Sequence, residues 1–254
     1  MIKIARLIFY DDEHIYTVDG EEFPSVSEIS RFASREVYGE VSQFNLDNAC
    51  SRGSAVHKAT EILDKYGKCE CDEDIEPYIR AYVQFRKDFG IKDYAYIEKA
   101  LAHEELKYAG TIDRIYTIDE KFAEAVADKC KSFVFINADG KIDKIKTPQD
   151  LKSFIGNLAI IDLKSSSIVQ NVLALIQLNG YKLSTEFNGL GEVRALFILH
   201  LEKDGNYKLI GFEINPALFM ACLALHKALQ KKKRVKKENA KNEEKSNWIG
   251  NDEW

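Results

Sequence analysis

Two short segments place a charged side chain where its neighbours are apolar. IIDLKSSS (160–167) holds Asp162 and Lys164 two positions apart in a run that reads as a strand, so both point to the same face. YAGTIDRIYTID (108–119) holds Asp113 in a second apolar run flanked by Ile112 and Ile115, with Gly110 just before. A carboxylate in such surroundings is costly unless it is paired or binds a metal ion. Two chemistries satisfy that demand. Asp162 could be neutralised by Lys164, and Asp113 by a salt bridge to Arg114 or by capping a turn. Alternatively the carboxylates hold a hard divalent cation, while the lysine positions or helps deprotonate a water for attack on phosphorus.

Two helical pairs accompany them. His57 in RGSAVHKATE lies four residues before Glu61, and Gln177 in QLNGY lies four before Tyr181, so each pair shares a helix face. Taken alone, the first is equally a surface pair and the second an ordinary polar face.

The elements that must position these residues follow from periodicity. RLIFYDDEHIYTVDGEEFPSVSEIS predicts an N-terminal β-hairpin turning at Val18-Asp19-Gly20, then a helix capped by Ser25 or Ser27, with Glu28 completing a capping box. SRGSAVHKATEILDKYG and DEDIEPYIRAYVQFRKDFG predict helices, the second ending at Gly90. KDYAYIEKALAHEE and LKYAGTIDRIYTID predict two strands. A mixed insert over 119–157 contains a short helix, the strand SFVFINADGK and TPQDLKSFIG, and the 157–165 strand follows. SIVQNVLALIQLNGYKLSTEF predicts a helix, VRALFILHLEKDGNYKLIGFEI a hairpin turning at Asp204-Gly205, and NPALFMACLALHKALQKKKRVKK a last helix with Asn215 as cap and Pro216 at its first position. The order predicts an α/β fold, a mixed sheet flanked by helices, with residues 1–226 as one domain and 227–254 as a basic helix end and flexible tail.

Composition narrows the class. No run of about 18 apolar residues is present, which argues against a membrane span. MIKIARLIFYDDEH lacks a secretory h-region, and the five cysteines are odd in number with no C-x-x-C pair. Together these predict reduced thiols in a cytoplasm. Cys69-Glu-Cys71 reads as an exposed pair on a polar loop. The 36 Lys and Arg are outnumbered by 41 Asp and Glu; nine and five of these fall in 227–254, leaving 27 basic and 36 acidic groups before it. A polyanion partner must therefore be met by a local patch or by metal ions. QKKKRVKK (230–237) is one such patch, or simply cations placed favourably at a helix C-terminus. WIGNDEW at the end reads as a disordered tail or a docking peptide for a recombination or replication partner.

The joint order is G-x-x-x-H on a helix (Gly53, His57), G-x-x-D in a strand (Gly110, Asp113), D-x-K in a strand (Asp162, Lys164) and Q-x-x-x-Y on the next helix (Gln177, Tyr181). This resembles the PD-(D/E)XK nuclease superfamily, in its RecB-like branch of phage and prophage exonucleases, over roughly residues 15 to 200. IYTVDGEEFPSVSEI also looks like the lead-in of phage members. The resemblance implies a restriction-endonuclease-like mixed sheet core and a Mg²⁺- or Mn²⁺-dependent deoxyribonuclease acting on linear duplex or single-stranded DNA ends. It implies that His57, Asp113, Asp162 and the carbonyl of Leu163 ligate metal and that Lys164 orients or activates the attacking water. Gln177 and Tyr181 would contact the DNA strand or brace the site, with Glu98 and Glu61 as weaker candidates, Glu61 as an outer partner of His57. Oxygen ligands with one imidazole suit either ion, the imidazole tilting toward Mn²⁺. The sequence departs from the pattern in lacking a proline before Asp113 and in having Asp162 where glutamate is more frequent; both are permitted in this branch. Some relatives carry an iron–sulfur cluster on one cysteine before the histidine and three after the tyrosine. Here Cys50 precedes His57 and only Cys222 follows Tyr181, so no cluster is expected. The competing readings are an inactive DNA-end or protein-binding module on the same fold, and an RNA nuclease.

Overall fold

The structure is a computed structural model that describes residues 6–10, 13–31, 43–128, 134–136, 142–143 and 149–232. Cys130, the Asp139-Gly140 turn, most of QKKKRVKK and the tail through WIGNDEW lie outside the described residues, as does the side chain of Cys50.

The predicted N-terminal hairpin gains a third strand. β1 (Leu7–Tyr10), β2 (Ile15–Val18) and β3 (Glu21–Phe23) form an antiparallel sheet in that order. Asp19 and Gly20 join β2 to β3 with φ of 50° and 86°, the two positive values that a two-residue hairpin turn needs and that Asp-Gly tolerates. Ser25 then caps α1 (Val26–Ser30), accepting the Glu28 N–H at 2.9 Å.

Two long helices follow, α2 (Gln43–Tyr66) and α3 (Glu76–Asp88). The central sheet begins with β4 (Tyr96–His103) and β5 (Tyr108–Thr117), an antiparallel pair. The chain then runs through α4 (Glu120–Asp128), the short β6 (Val134–Ile136) and β7 (Ile142–Asp143), and α5 (Gln149–Lys152). β8 (Leu158–Lys164), α6 (Asn171–Phe187) and β9 (Val193–Leu201) make a parallel strand–helix–strand unit, and β10 (Tyr207–Phe212) returns antiparallel to β9. A final helix, α7, covers 217–232; Asn215 caps it, its side-chain oxygen accepting the Ala217 N–H at 3.2 Å. Strand order is β4-β5-β8-β9-β10, extended by β6 and β7. The described strands of the 119–157 insert extend the sheet at its β10 edge, β6 lying parallel to β10.

Both faces of the sheet are covered, so its central strands are nearly all apolar. Ala159, Ile161 and Leu163 of β8 pack against α2, α3 and α4 through Val56, Tyr82, Phe85 and Phe122. Leu158 and Ile160 point the other way, onto α1, α6 and α7. Asp162 and Lys164 share that second face by strand alternation, which is why α6 residues meet them.

α6 and α7 approach closely at Gly180. A Cβ there would stand 2.6 Å from the buried Phe219 ring. Alanine gains about 1 kcal/mol in helix propensity, whereas overpacking an unyielding neighbour costs about 1–3 kcal/mol. Gly180→Ala is therefore expected to lower Tm by a few degrees, and Phe219→Leu in the same chain to recover part of the loss. A Tm equal to or above wild type, measured by calorimetry, would contradict this packing.

Candidate functional site

β5 and β8 are antiparallel neighbours, with Arg114 opposite Ile161 and Ile115 opposite Ile160. That register brings Asp113 to the end of β8, where one oxygen of its carboxylate accepts the Leu163 N–H at 2.6 Å. α2 runs over this junction. The His57 ring sets Nε2 3.1 Å from the Leu163 carbonyl and Nδ1 3.4 Å from the other oxygen of Asp113. Asp162, 1% exposed, has one oxygen 2.6 Å from the Lys164 ammonium. That oxygen is buried and receives no well-aligned hydrogen bond, so the contact is an ion pair with acceptor capacity to spare.

Glu98 joins from β4, and its backbone is unusual. Its φ of 47° is left-handed, a conformation that costs about 1–3 kcal/mol for a non-glycine residue inside a strand. Arg114 holds its carboxylate at 2.9 Å. Arg114 is itself fully buried and donates to Asp64 at 2.6 Å, to the Thr60 hydroxyl at 3.1 Å and to the Tyr82 oxygen at 3.2 Å. An Arg114–Asp113 side-chain salt bridge is not what forms. Adjacent strand residues face opposite ways, and the guanidinium instead bonds the Asp113 backbone carbonyl at 2.7 Å.

On the other side, the Gln177 amide donates to the Tyr181 oxygen at 2.9 Å and reaches the Ser27 hydroxyl at 3.5 Å. The glycine of G-x-x-D has a steric role here, because a Cβ at Gly110 would lie 2.9 Å from the Tyr181 ring and 3.1 Å from Val26. Gly53 shows no such crowding; its nearest neighbour is the Ser165 hydroxyl at 3.9 Å. His57, Glu61, Glu98, Asp113, Asp162, Lys164, Gln177 and Tyr181 thus line one cleft of about 520 Å³. Glu61 faces it without serving His57: its carboxylate is taken by Lys58 at 3.0 Å and Lys65 at 2.5 Å.

The carboxylates shift one another. Burial, with the neighbouring Asp113 charge, pushes Asp162 up to about 6 against the pull of Lys164. Burial and Asp113 likewise push Glu98 up to about 7, opposed by Arg114. Asp113 moves the other way. Its burial favours protonation, but His57, Lys164 and the Leu163 N–H outweigh that and hold it down to about 2. For His57 burial favours the neutral ring, and the Asp113 carboxylate overrides it, raising the imidazole to about 9. Burial raises the Tyr181 hydroxyl well above its ordinary value, reinforced by the two aspartates, so it stays a proton donor.

These groups fit a divalent cation. Ligand atoms of His57, Glu98 and Asp113 lie within 4.8 Å of one another, a set that could hold a metal ion. Glu98 thereby stands with His57 and Asp113, while Asp162 is engaged with Lys164 and the Leu163 carbonyl with His57. The donors are oxygen-rich with one imidazole, which suits Mg²⁺ or Mn²⁺. The sequence reading missed the Arg114 network with Asp64, and strand alternation was the signal that separates Arg114 from Asp113. It also missed Phe9, His14 and Tyr16, which line the same cleft. No protein-family model matches this chain, and neither does any curated protein. Among the described residues no helix is long and apolar enough to cross a membrane.

The shifts predict how stability follows pH in metal-free protein. His57, Glu98 and Asp162 hold protons more tightly folded than unfolded (references 6.5, 4.5 and 3.8), so their stabilisation is complete below those values. It is lost as pH rises through about 6, 7 and 9 in turn. Asp113 contributes above 3.8 and loses its share only as pH falls toward about 2. In EDTA, Tm is expected to fall on the order of several degrees from about pH 5 to about pH 9. Mn²⁺ is expected to restore more at the alkaline end. A flat profile, or an equal Mn²⁺ effect at both ends, would contradict a proton-loaded carboxylate cluster.

Proposed function

We propose that this chain is a divalent-cation-dependent deoxyribonuclease of the PD-(D/E)XK type, RecB-like branch, most simply an exonuclease of linear DNA used in recombination, replication or repair. The observation that carries the reading is the Asp162–Lys164 pair on β8, set in one cleft with Asp113, Glu98 and His57. The antiparallel β4–β5 pair beside the β8–α6–β9 crossover supports a restriction-endonuclease-like core. Activity on DNA in the cytoplasm of a bacterial or phage-infected cell belongs to the same reading.

His57, Glu98 and Asp113 would hold the cation, with Asp162 beside them. A bound Mg²⁺ or Mn²⁺ supplies charge neutralisation at the phosphate and an acidified water. The protein groups do the rest. Lys164 carries its ammonium at the cleft wall, where it orients a water and balances charge at the phosphate. Gln177 donates its amide hydrogen to the Tyr181 oxygen, so the Tyr181 O–H is left to donate to a phosphate oxygen. Arg114 neutralises Glu98 from behind and keeps its carboxylate turned into the cleft.

Asp162→Asn and Lys164→Ala are each expected to cut Mg²⁺- or Mn²⁺-dependent degradation of linear DNA by about 10²-fold or more, with circular dichroism unchanged. End-labelled linear, nicked and circular DNA distinguish the outcomes: refractory circles indicate an exonuclease and the label gives its direction. Wild-type rates in both variants would refute the assignment. Binding of DNA in EDTA with no hydrolysis under any divalent ion would support an inactive binding module, and faster digestion of a matched RNA an RNA nuclease.

A further inference from the structure

The cleft has a second wall that phosphodiester chemistry does not use. Phe9 of β1, Tyr16 of β2 and His14 of the turn between them line it together with the carboxylates and Lys164. Their rings form a chain that starts on the strand bearing Asp113. The Tyr16 hydroxyl bonds the Thr111 hydroxyl at 2.9 Å, two residues before Asp113 on β5. Phe9 stacks on Tyr16 with centroids 4.5 Å apart and planes 21° apart. His14 stands edge-on to both, at 5.3 Å from Phe9 and 5.8 Å from Tyr16. Tyr16 is buried, Phe9 half-buried and His14 exposed, so the chain runs from the cleft floor to solvent.

Packing accounts for part of this wall and leaves His14 outside it. Tyr16 belongs to the small core of the sheet with Val18, Phe23, Ala102 and Ala109, and Phe9 packs against that core while also lining the cleft. His14 is exposed and outside that core, in the turn between β1 and β2 with a left-handed φ of 53°. It presents its ring at the mouth of the cleft, where a ligand would meet it. Flat rings beside a phosphate-handling site match the faces of unstacked nucleobases, which stack on aromatics without regard to sequence. The cleft, about 520 Å³, has the size of a small-molecule pocket and is large enough for an unpaired nucleotide.

We infer that Phe9 and His14, backed by Tyr16, are a base-stacking platform that makes an unpaired strand or frayed end the substrate of this cleft. This rests on the nuclease reading for its substrate, yet the platform is testable by binding alone. The probe is a short single-stranded oligonucleotide carrying 2-aminopurine near its end, with Ca²⁺ in place of Mg²⁺, compared with the same sugar–phosphate chain lacking bases. Phe9→Leu keeps apolar packing while removing the ring, and His14→Ala removes an exposed one. Tyr10→Ala, on the same strand but outside the cleft, is the control. Wild-type protein is expected to quench the fluorophore. Phe9→Leu and His14→Ala are expected to weaken binding of the base-bearing strand by about tenfold each while leaving the base-free strand and the Tyr10→Ala protein unaffected. Equal losses on both strands, or none, would overturn the platform. Wild-type protein that quenches the probe but hydrolyses no DNA with any divalent ion would instead refute the nuclease reading and leave the platform standing.

Discussion

Two buried carboxylates, Asp113 and Asp162, and the half-buried Glu98 are gathered at the junction of β4, β5 and β8, and this is the constraint the surrounding structure answers. Burial and mutual repulsion each disfavour the ionised forms. Only groups able to return positive charge or hydrogen bonds make the cluster tolerable. Lys164 answers Asp162, His57 and the Leu163 N–H answer Asp113, and Arg114 answers Glu98. The answers come from β8 (Lys164 and Leu163), α2 (His57) and β5 (Arg114), so the charge cluster ties a helix to the strands as well as the strands to one another.

Arg114 shows how far the consequences spread. A guanidinium at 0% exposure is itself costly, and it is satisfied by Asp64 and Thr60 of α2, Tyr82 of α3 and Glu98 of β4. Asp64 in turn receives Arg86 at 2.8 Å and the Tyr82 hydroxyl at 2.6 Å. Breaking such a network at one member leaves an unpaired buried charge, which is far more damaging than loss of a surface pair such as Arg80–Glu76. α2 is therefore pinned by charge on the side where its ring His57 must reach across to β8.

This explains what could be read from the sequence and what could not. Asp162 and Lys164 were legible because alternation along an apolar strand is a local property. The i,i+4 pair Gln177–Tyr181 was legible for the same reason on a helix, whereas the close approach of Tyr181 to Gly110 emerges only in the folded chain. Glu61 and Glu98 show the limit. Both are acidic residues near a motif, but Lys58 and Lys65, one turn away on the same helix, take Glu61. Glu98 reaches the cluster only through a left-handed φ that no periodicity announces. The third N-terminal strand and the β6–β10 pairing were equally hidden, since both depend on partners set by the assembled sheet. A salt bridge from Arg114 to Asp113 was one alternative that proximity in sequence left open, and strand geometry removes it.

The two left-handed non-glycine residues at the cleft, Glu98 and His14, arise differently. Glu98 lies inside a strand and is held by Arg114 and by pairing of its neighbours on β4 with β5, whereas His14 lies in the β1–β2 turn beside the rings of Phe9 and Tyr16. Both side chains line the same cleft, one a carboxylate and one a ring. Under the proposed nuclease and stacking roles, charge and flat rings side by side are the two features that a strand of alternating phosphates and bases presents in return.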